Sequence, residues 1–227
     1  MINLSDIQKI NAELVRSSMI GDLEIVLLLL QNNATMLANY GEALVQASEY
    51  GHAKIVKLLL QYEKNNYPIV YTALISACVN GHLKVVKILL TSGINVCINN
   101  NALIRVASIR GQTNVVKFLI LNGANVNANQ NHALRLACKF NQKETVELLL
   151  QNGADHSANN GEALLLTCKY GHVEIFKILV EYGVNIHFDE DAALIIALKH
   201  SQWAIVHLLL NLGAGTHMVN YQSISRL

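Results

Sequence analysis

Apolar residues recur along this chain at spacings of three and four, interrupted by polar residues at a fixed place. Ile55-Val56 is followed by Leu58-Leu59-Leu60, Val85-Val86 by Ile88-Leu89-Leu90, and Ile175-Phe176 by Ile178-Leu179-Val180. The residue between each pair and triplet is Lys57, Lys87 or Lys177, with Lys117, Glu147 and His207 in further copies. This is the pattern of a helix with one buried stripe and one wet face. The phrase returns every thirty residues, in seven copies aligned on Gly21, Gly51, Gly81, Gly111, Asn141, Gly171 and Ser201.

Glycine or asparagine at six of these seven positions predicts a left-handed residue ending a preceding helix, with Ser201 as the departure. Four residues earlier stand Ser17, Ala47, Ala77, Ala107, Ala137, Thr167 and Ala197, small side chains that predict a close helix-helix approach. Gly93, Gly123, Gly153, Gly183 and Gly213 close the second helix, and Asn-rich turns such as Asn125 to Asn131 follow. Asn101, Asn131 and Asp191 fall where the next helix begins and are candidate N-caps.

The expected architecture is all-α, one solenoid of about seven stacked antiparallel helix pairs. A first repeat with an extended first helix covers 5–33. Further repeats lie near 34–63, 64–93, 94–123, 124–153, 154–183 and 184–213, with a tail at 214–227. Each repeat buries its faces against its neighbours, because a single one has too little core to fold alone. Ile195, Ile196, Leu198 and Trp203 make the last repeat apolar, so the tail is expected to fold over them, or another chain to do so.

Composition adds exclusions. Hydrophobic residues make up 52% and charged ones 15%, and the formal charge is only +1. This balance argues against a surface that neutralises many phosphates or an anionic membrane. No apolar run approaches the roughly 20 residues of a membrane span, and the first ten residues lack a secretory pattern, so a cytoplasmic location is expected. Cys78, Cys138 and Cys168 share one repeat position, too far apart for disulfides if helices pack about 10 Å apart, and read as buried thiols. Cys97 falls in a turn.

Gly171-His172-Val173-Glu174-Ile175, the Leu-rich helices and Gly123-Ala124-Asn125-Val126-Asn127-Ala128 resemble the ankyrin repeat. The likeness runs from about residue 5 to 217. The usual period is about 33 with a Thr-Pro-Leu-His opening, whereas here Glu162-Ala163-Leu164-Leu165 stands in a period of thirty. Short, Asn-rich repeats of this kind resemble those of giant DNA viruses. The resemblance implies a non-enzymatic scaffold that binds a partner protein through a concave face. It also implies that His52, His82 and His172 bond locally at the turn, and that Asn127 matches a loop asparagine that can be hydroxylated.

Chemistry for catalysis is missing. There is no Gly-rich phosphate loop, no nucleophile elbow and no Cys-x-x-Cys pair. Histidines one repeat apart do not converge on one ion, and Asp189-Glu190-Asp191 reads as a solvated turn with a cap. No catalytic, metal or cofactor site is expected. What varies is more informative. The two residues before the first glycine include Tyr50, Arg110, Lys139-Phe140, Lys169-Tyr170 and Lys199-His200, a stripe that turns basic and aromatic. Such types are enriched where partners dock, so these are the candidate partner-binding residues. Replacing Arg110, Phe140 and Tyr170 with Ala is expected to abolish capture at little cost in stability. Tyr40, Tyr71, Gln130, His132, Asn160 and Glu162 form a second candidate surface. An adaptor recruiting substrates to a ubiquitin ligase is the alternative reading, although Met218 to Leu227 is too short for a folded docking motif. Nucleic-acid binding along the lysines ranks below it. The chain is expected to be a monomer, or to self-associate weakly through its C-terminal end.

Overall fold

The structure is a computed structural model that describes residues 4–31, 40–63 and 65–215. The tail beyond 215 and its expected packing lie outside the described residues. Fourteen helices and no strands are present among the described residues. They fall into two compact units, Met1–Asn125 and Val126–Leu227.

In the first unit the first members of the pairs are α1 (Leu4–Ile20), α3 (Tyr40–Glu49), α5 (Tyr67–Asn80) and α7 (Ile98–Ile109). Their partners are α2 (Leu23–Gln31), α4 (Ala53–Glu63), α6 (Leu83–Leu90) and α8 (Thr113–Leu121). First helices pack on first helices, and second on second, so each unit is two layers thick. The second unit repeats the plan with α9 (Ala128–Lys139), α11 (Ala158–Tyr170) and α13 (Phe188–Lys199) over α10 (Lys143–Gln151), α12 (Val173–Glu181) and α14 (Trp203–Asn211). The recurrent apolar residues form the core: Leu44, Leu74, Leu89 and Leu119 in one unit, Leu134, Leu149, Phe176 and Leu179 in the other.

The seven small residues, from Ser17 to Ala197, are all fully buried. Where that residue is polar, its hydroxyl is satisfied within its own helix: Ser17 Oγ donates to the Glu13 carbonyl (2.6 Å) and Thr167 Oγ1 to the Ala163 carbonyl (2.8 Å). The carbonyl at this position accepts the N–H five residues on, as from His82 to Ala77 (3.0 Å), which closes the helix around the left-handed residue.

The turn histidines do not bond locally. His52 Nε2 lies 2.9 Å from the Met19 carbonyl, His82 Nε2 2.8 Å from that of Glu49, and His172 Nε2 3.1 Å from that of Lys139, in each case 33 residues back. Gln112 and Gln202 make the same reach with their Nε2 amides, to Val79 (3.1 Å) and Lys169 (3.3 Å). The imidazole therefore satisfies a helix-end carbonyl of the preceding repeat, and an amide of similar reach replaces it. This rail crowds the glycines it passes, although His172 makes the same reach beside Asn141. At Gly51, φ is +80° and an added Cβ would lie 2.6 Å from His82 Nδ1.

A second rail runs at the opposite end of the first helices. Asn99-Asn100-Asn101, Asn129-Gln130-Asn131, Asn159-Asn160-Gly161 and Asp189-Glu190-Asp191 are each three successive residues with φ between +49° and +65°. Asn, Asp and Gly tolerate this region best. In the repeat that lacks such residues, Pro68 instead opens α5 in a right-handed first turn. The third residue of the turn is not spent on its own helix. Asn101 Oδ1 accepts the Asn125 N–H, Asn131 Oδ1 the Asp155 N–H and Asp191 Oδ2 the Gly215 N–H, all at 2.8 Å and all 24 residues on. The expected caps are thus cross-repeat pins. The acidic trio is not a solvated turn throughout: Asp191 is buried and also bonds His187 Nδ1 at 2.8 Å.

Candidate functional site

Lys139-Phe140, Lys169-Tyr170 and Lys199-His200 occupy the C-terminal ends of α9, α11 and α13, in one unit. Phe140 and Tyr170 are 45% and 41% exposed, a large apolar area to leave in water at a helix end. Lys139 Nζ sits 5.4 Å from the Phe140 ring centre and Lys169 Nζ 5.6 Å from that of Tyr170. Each pair is a cation laid over an aromatic face, an exposed contact of about 0.5–1 kcal/mol. Tyr170 also stacks on His172, with ring centres 6.0 Å apart.

The backbone beneath these side chains is fixed by the first rail, because the carbonyls accepting from His172 and Gln202 belong to Lys139 and Lys169. Variable, exposed groups therefore project from residues whose carbonyls are tied across repeats. Pre-positioning of this kind lowers the ordering cost of binding. Tyr50, stacked on His52 at 6.5 Å, and exposed Arg110 hold the same repeat position in the other unit.

The second candidate surface is less open than its polar letters suggest. Tyr40 is buried and stacks on Tyr62 with ring centres 5.1 Å apart. Glu162 pairs with Arg135, a residue that sequence reasoning passed over. Arg135 also donates to the carbonyls of Gln130 (3.1 Å) and Asn129 (3.3 Å), bracing the left-handed turn; Arg105 does likewise to Asn99 (3.2 Å). Asn127 Oδ1 lies 3.1 Å from the Asp155 N–H and shares it with Asn131.

Burial pushes the Glu162 carboxyl up, but hydrogen bonds from Arg135 and Asn159 and the charges of Arg135 and His132 together outweigh it, holding the group below its ordinary 4.5. A lowered folded value adds stability at pH values above about 4.5, and that contribution is lost as pH falls through the folded value. Glu162→Gln is therefore expected to remove part of the acid limb of the stability-pH curve while leaving its shape above pH 6 unchanged. Urea midpoints from pH 3 to 7 read this directly, and an acid limb identical to that of the parent would contradict the pairing.

Cys78, Cys138 and Cys168 are buried, free thiols pushed up to about 12 by burial, and so poor nucleophiles; Cys97 is exposed. No group of three or more metal-ligating side chains is present among the described residues. No described helix is long and apolar enough to cross a membrane.

Helix pairs tied to their neighbours by His or Gln at one end and, in three places, by Asn or Asp at the other, with variable side chains at exposed helix ends, define a repeat scaffold. The family model for ankyrin repeats (3 copies) matches residues 14–100, 97–160 and 156–220, and the chain belongs to that family. Among solved structures it is similar to the human ASB11 ankyrin repeat domain. The two share 21% identity and a TM-score of 0.68, over 85% of this chain and 96% of that one, a likeness of fold. No curated protein matches the chain. Ankyrin repeats are generally protein-protein interaction modules.

Proposed function

We propose that the chain is a non-enzymatic scaffold that binds a partner protein through Lys139, Phe140, Lys169, Tyr170, Lys199 and His200. The supporting observation is the pairing of lysine cations with exposed rings above carbonyls fixed by the first rail. The same atoms carry positive charge and apolar area, which suits a partner surface mixing carboxylates with apolar groups. The ankyrin family's concave face is the expected location of this surface.

The short, Asn-rich repeat supports a source among giant DNA viruses and hence a host-cell partner. Affinity capture from a eukaryotic lysate should therefore compare the parent with Phe140→Ala/Tyr170→Ala, at matched melting temperature. Partners present with the parent and depleted at least tenfold with the variant are the expected result. Identical captured sets would overturn the assignment. Captured material whose retention collapses with salt and with nuclease treatment would instead favour nucleic acid, since phosphate contacts release counterions.

A further inference from the structure

Within the second unit, the two devices that close the finger end of a repeat fail together at one place. Where the preceding repeats have Asn101 and Asn131, the next has Gly161; where they have Arg105 and Arg135, it has Leu165. With no side-chain oxygen at 161, the Asn185 N–H meets no acceptor among the described residues, although its counterparts at 125, 155 and 215 are all pinned. An added Cβ at Gly161 would meet nothing nearer than Phe188 Cδ1 at 4.0 Å.

The space left is a pocket of about 60 Å³ lined by Gly161, Leu164, Leu165, Val184, Asn185 and Phe188. It is well below the roughly 150 Å³ that accommodates a benzene ring. A branched aliphatic side chain suits it, whereas an aromatic one does not. Its walls are mostly apolar, and the unmet N–H offers one directed donor for a peptide carbonyl.

Leu165 and Lys169 lie four residues apart on α11 and so share a face, about 6 Å apart along the axis. An extended peptide advances about 3.3 Å per residue, so the step along α11 from Leu165, on the pocket wall, to Lys169 corresponds to about two peptide positions. Exposed Asp189 and Glu190 directly follow Phe188, which lines the pocket. The acid of the ligand therefore belongs at the Lys169 end and is disfavoured at the other.

We propose that this pocket takes a Val, Leu or Ile side chain of an extended partner peptide that carries an Asp or Glu two or three positions away, set against Lys169. The proposal rests on the protein-binding reading above and gives it a ligand chemistry. It leads to a selection experiment in which a phage-displayed random dodecapeptide library is panned on the full chain, on Gly161→Asn and on Lys169→Glu. Gly161→Asn copies the residue that already stands at 131, so it fills the pocket without disturbing the fold, and a thermal melt verifies this.

The parent is expected to enrich peptides with an aliphatic residue two or three positions from an acid. A synthetic copy should bind Gly161→Asn and Lys169→Glu each at least tenfold more weakly. Peptides that depend on Lys169 but not on Gly161 would overturn the pocket and leave the lysine-aromatic surface standing. Peptides that depend on Gly161 but on neither Lys169 nor an acid would overturn the charge pairing. No enrichment, or enrichment of aromatic residues only, would overturn the proposal as a whole.

Discussion

Gly51→Ala is expected to lower the unfolding free energy by about 2–3 kcal/mol, although it adds only one methyl group. Two costs combine. The residue sits at φ +80°, where a Cβ costs about 1–2 kcal/mol. The new carbon would also lie 2.6 Å from His82 Nδ1, so the ring must shift from the position in which Nε2 reaches the Glu49 carbonyl at 2.8 Å. Losing that bond costs about 1 kcal/mol more. Gly93 is the internal comparison in the same unit. Its φ is +85°, yet a Cβ there would meet nothing within 4 Å. Gly93→Ala should therefore cost only the conformational part, about 1–2 kcal/mol. Urea midpoints for both variants isolate the histidine contact as their difference, and equal shifts would mean that the rail contributes nothing measurable.

Asn131→Ala and Gly161→Asn should move stability in opposite directions. Asn131 is 4% exposed, stands at φ +57°, and gives its Oδ1 to the Asp155 N–H. Alanine loses the bond, about 1 kcal/mol, and tolerates the left-handed region less well than asparagine, for a total of about 2 kcal/mol. The cost stays moderate because Asn127 Oδ1 already lies 3.1 Å from the same donor. Gly161→Asn installs the missing pin at φ +65° and reduces the freedom of the unfolded chain, a gain of up to about 1 kcal/mol. Thermal melts of the two variants beside the parent read both signs. A destabilised Gly161→Asn would show that the pocket is not the vacant place of a pin.

The repeat, the helix pairing and the buried stripe were legible in the sequence because each is a local signal with a period. Gly171 and Ala47 mark a turn and a close approach without reference to any other residue. The rails were not legible. That His172 serves the Lys139 carbonyl, and Asn131 the Asp155 N–H, depends on which atoms a neighbouring repeat brings within 3 Å, and thirty-residue periodicity fixes only that some neighbour is there. The three-residue left-handed turns left a trace in Asn99-Asn100-Asn101 and Asp189-Glu190-Asp191, read as turn chemistry but not as pins. Arg135 and Leu165 show the limit most clearly. One repeat position holds a part-buried ion-pair partner in one repeat and a pocket wall in the next. Only the absence of Asn at 161, read beside the absence of Arg at 165, could have pointed there. The stripe was legible for the opposite reason, since the copies disagree there and turn basic and aromatic at Lys139-Phe140 and Lys169-Tyr170.

The central proposal, that residues that recur are scaffold and residues that vary are the binding surface, is tested by a double comparison of His172→Ala with Tyr170→Ala. Both variants are to be measured for melting temperature and for partner captured per folded molecule. His172→Ala loses the bond to the Lys139 carbonyl and should melt about 2–4 °C lower, as expected for about 1 kcal/mol in a chain of this size, with capture intact. Tyr170→Ala, at an exposed position, should melt within about 1–2 °C of the parent and lose capture. Loss of capture from His172→Ala while Tyr170→Ala still binds would contradict the account.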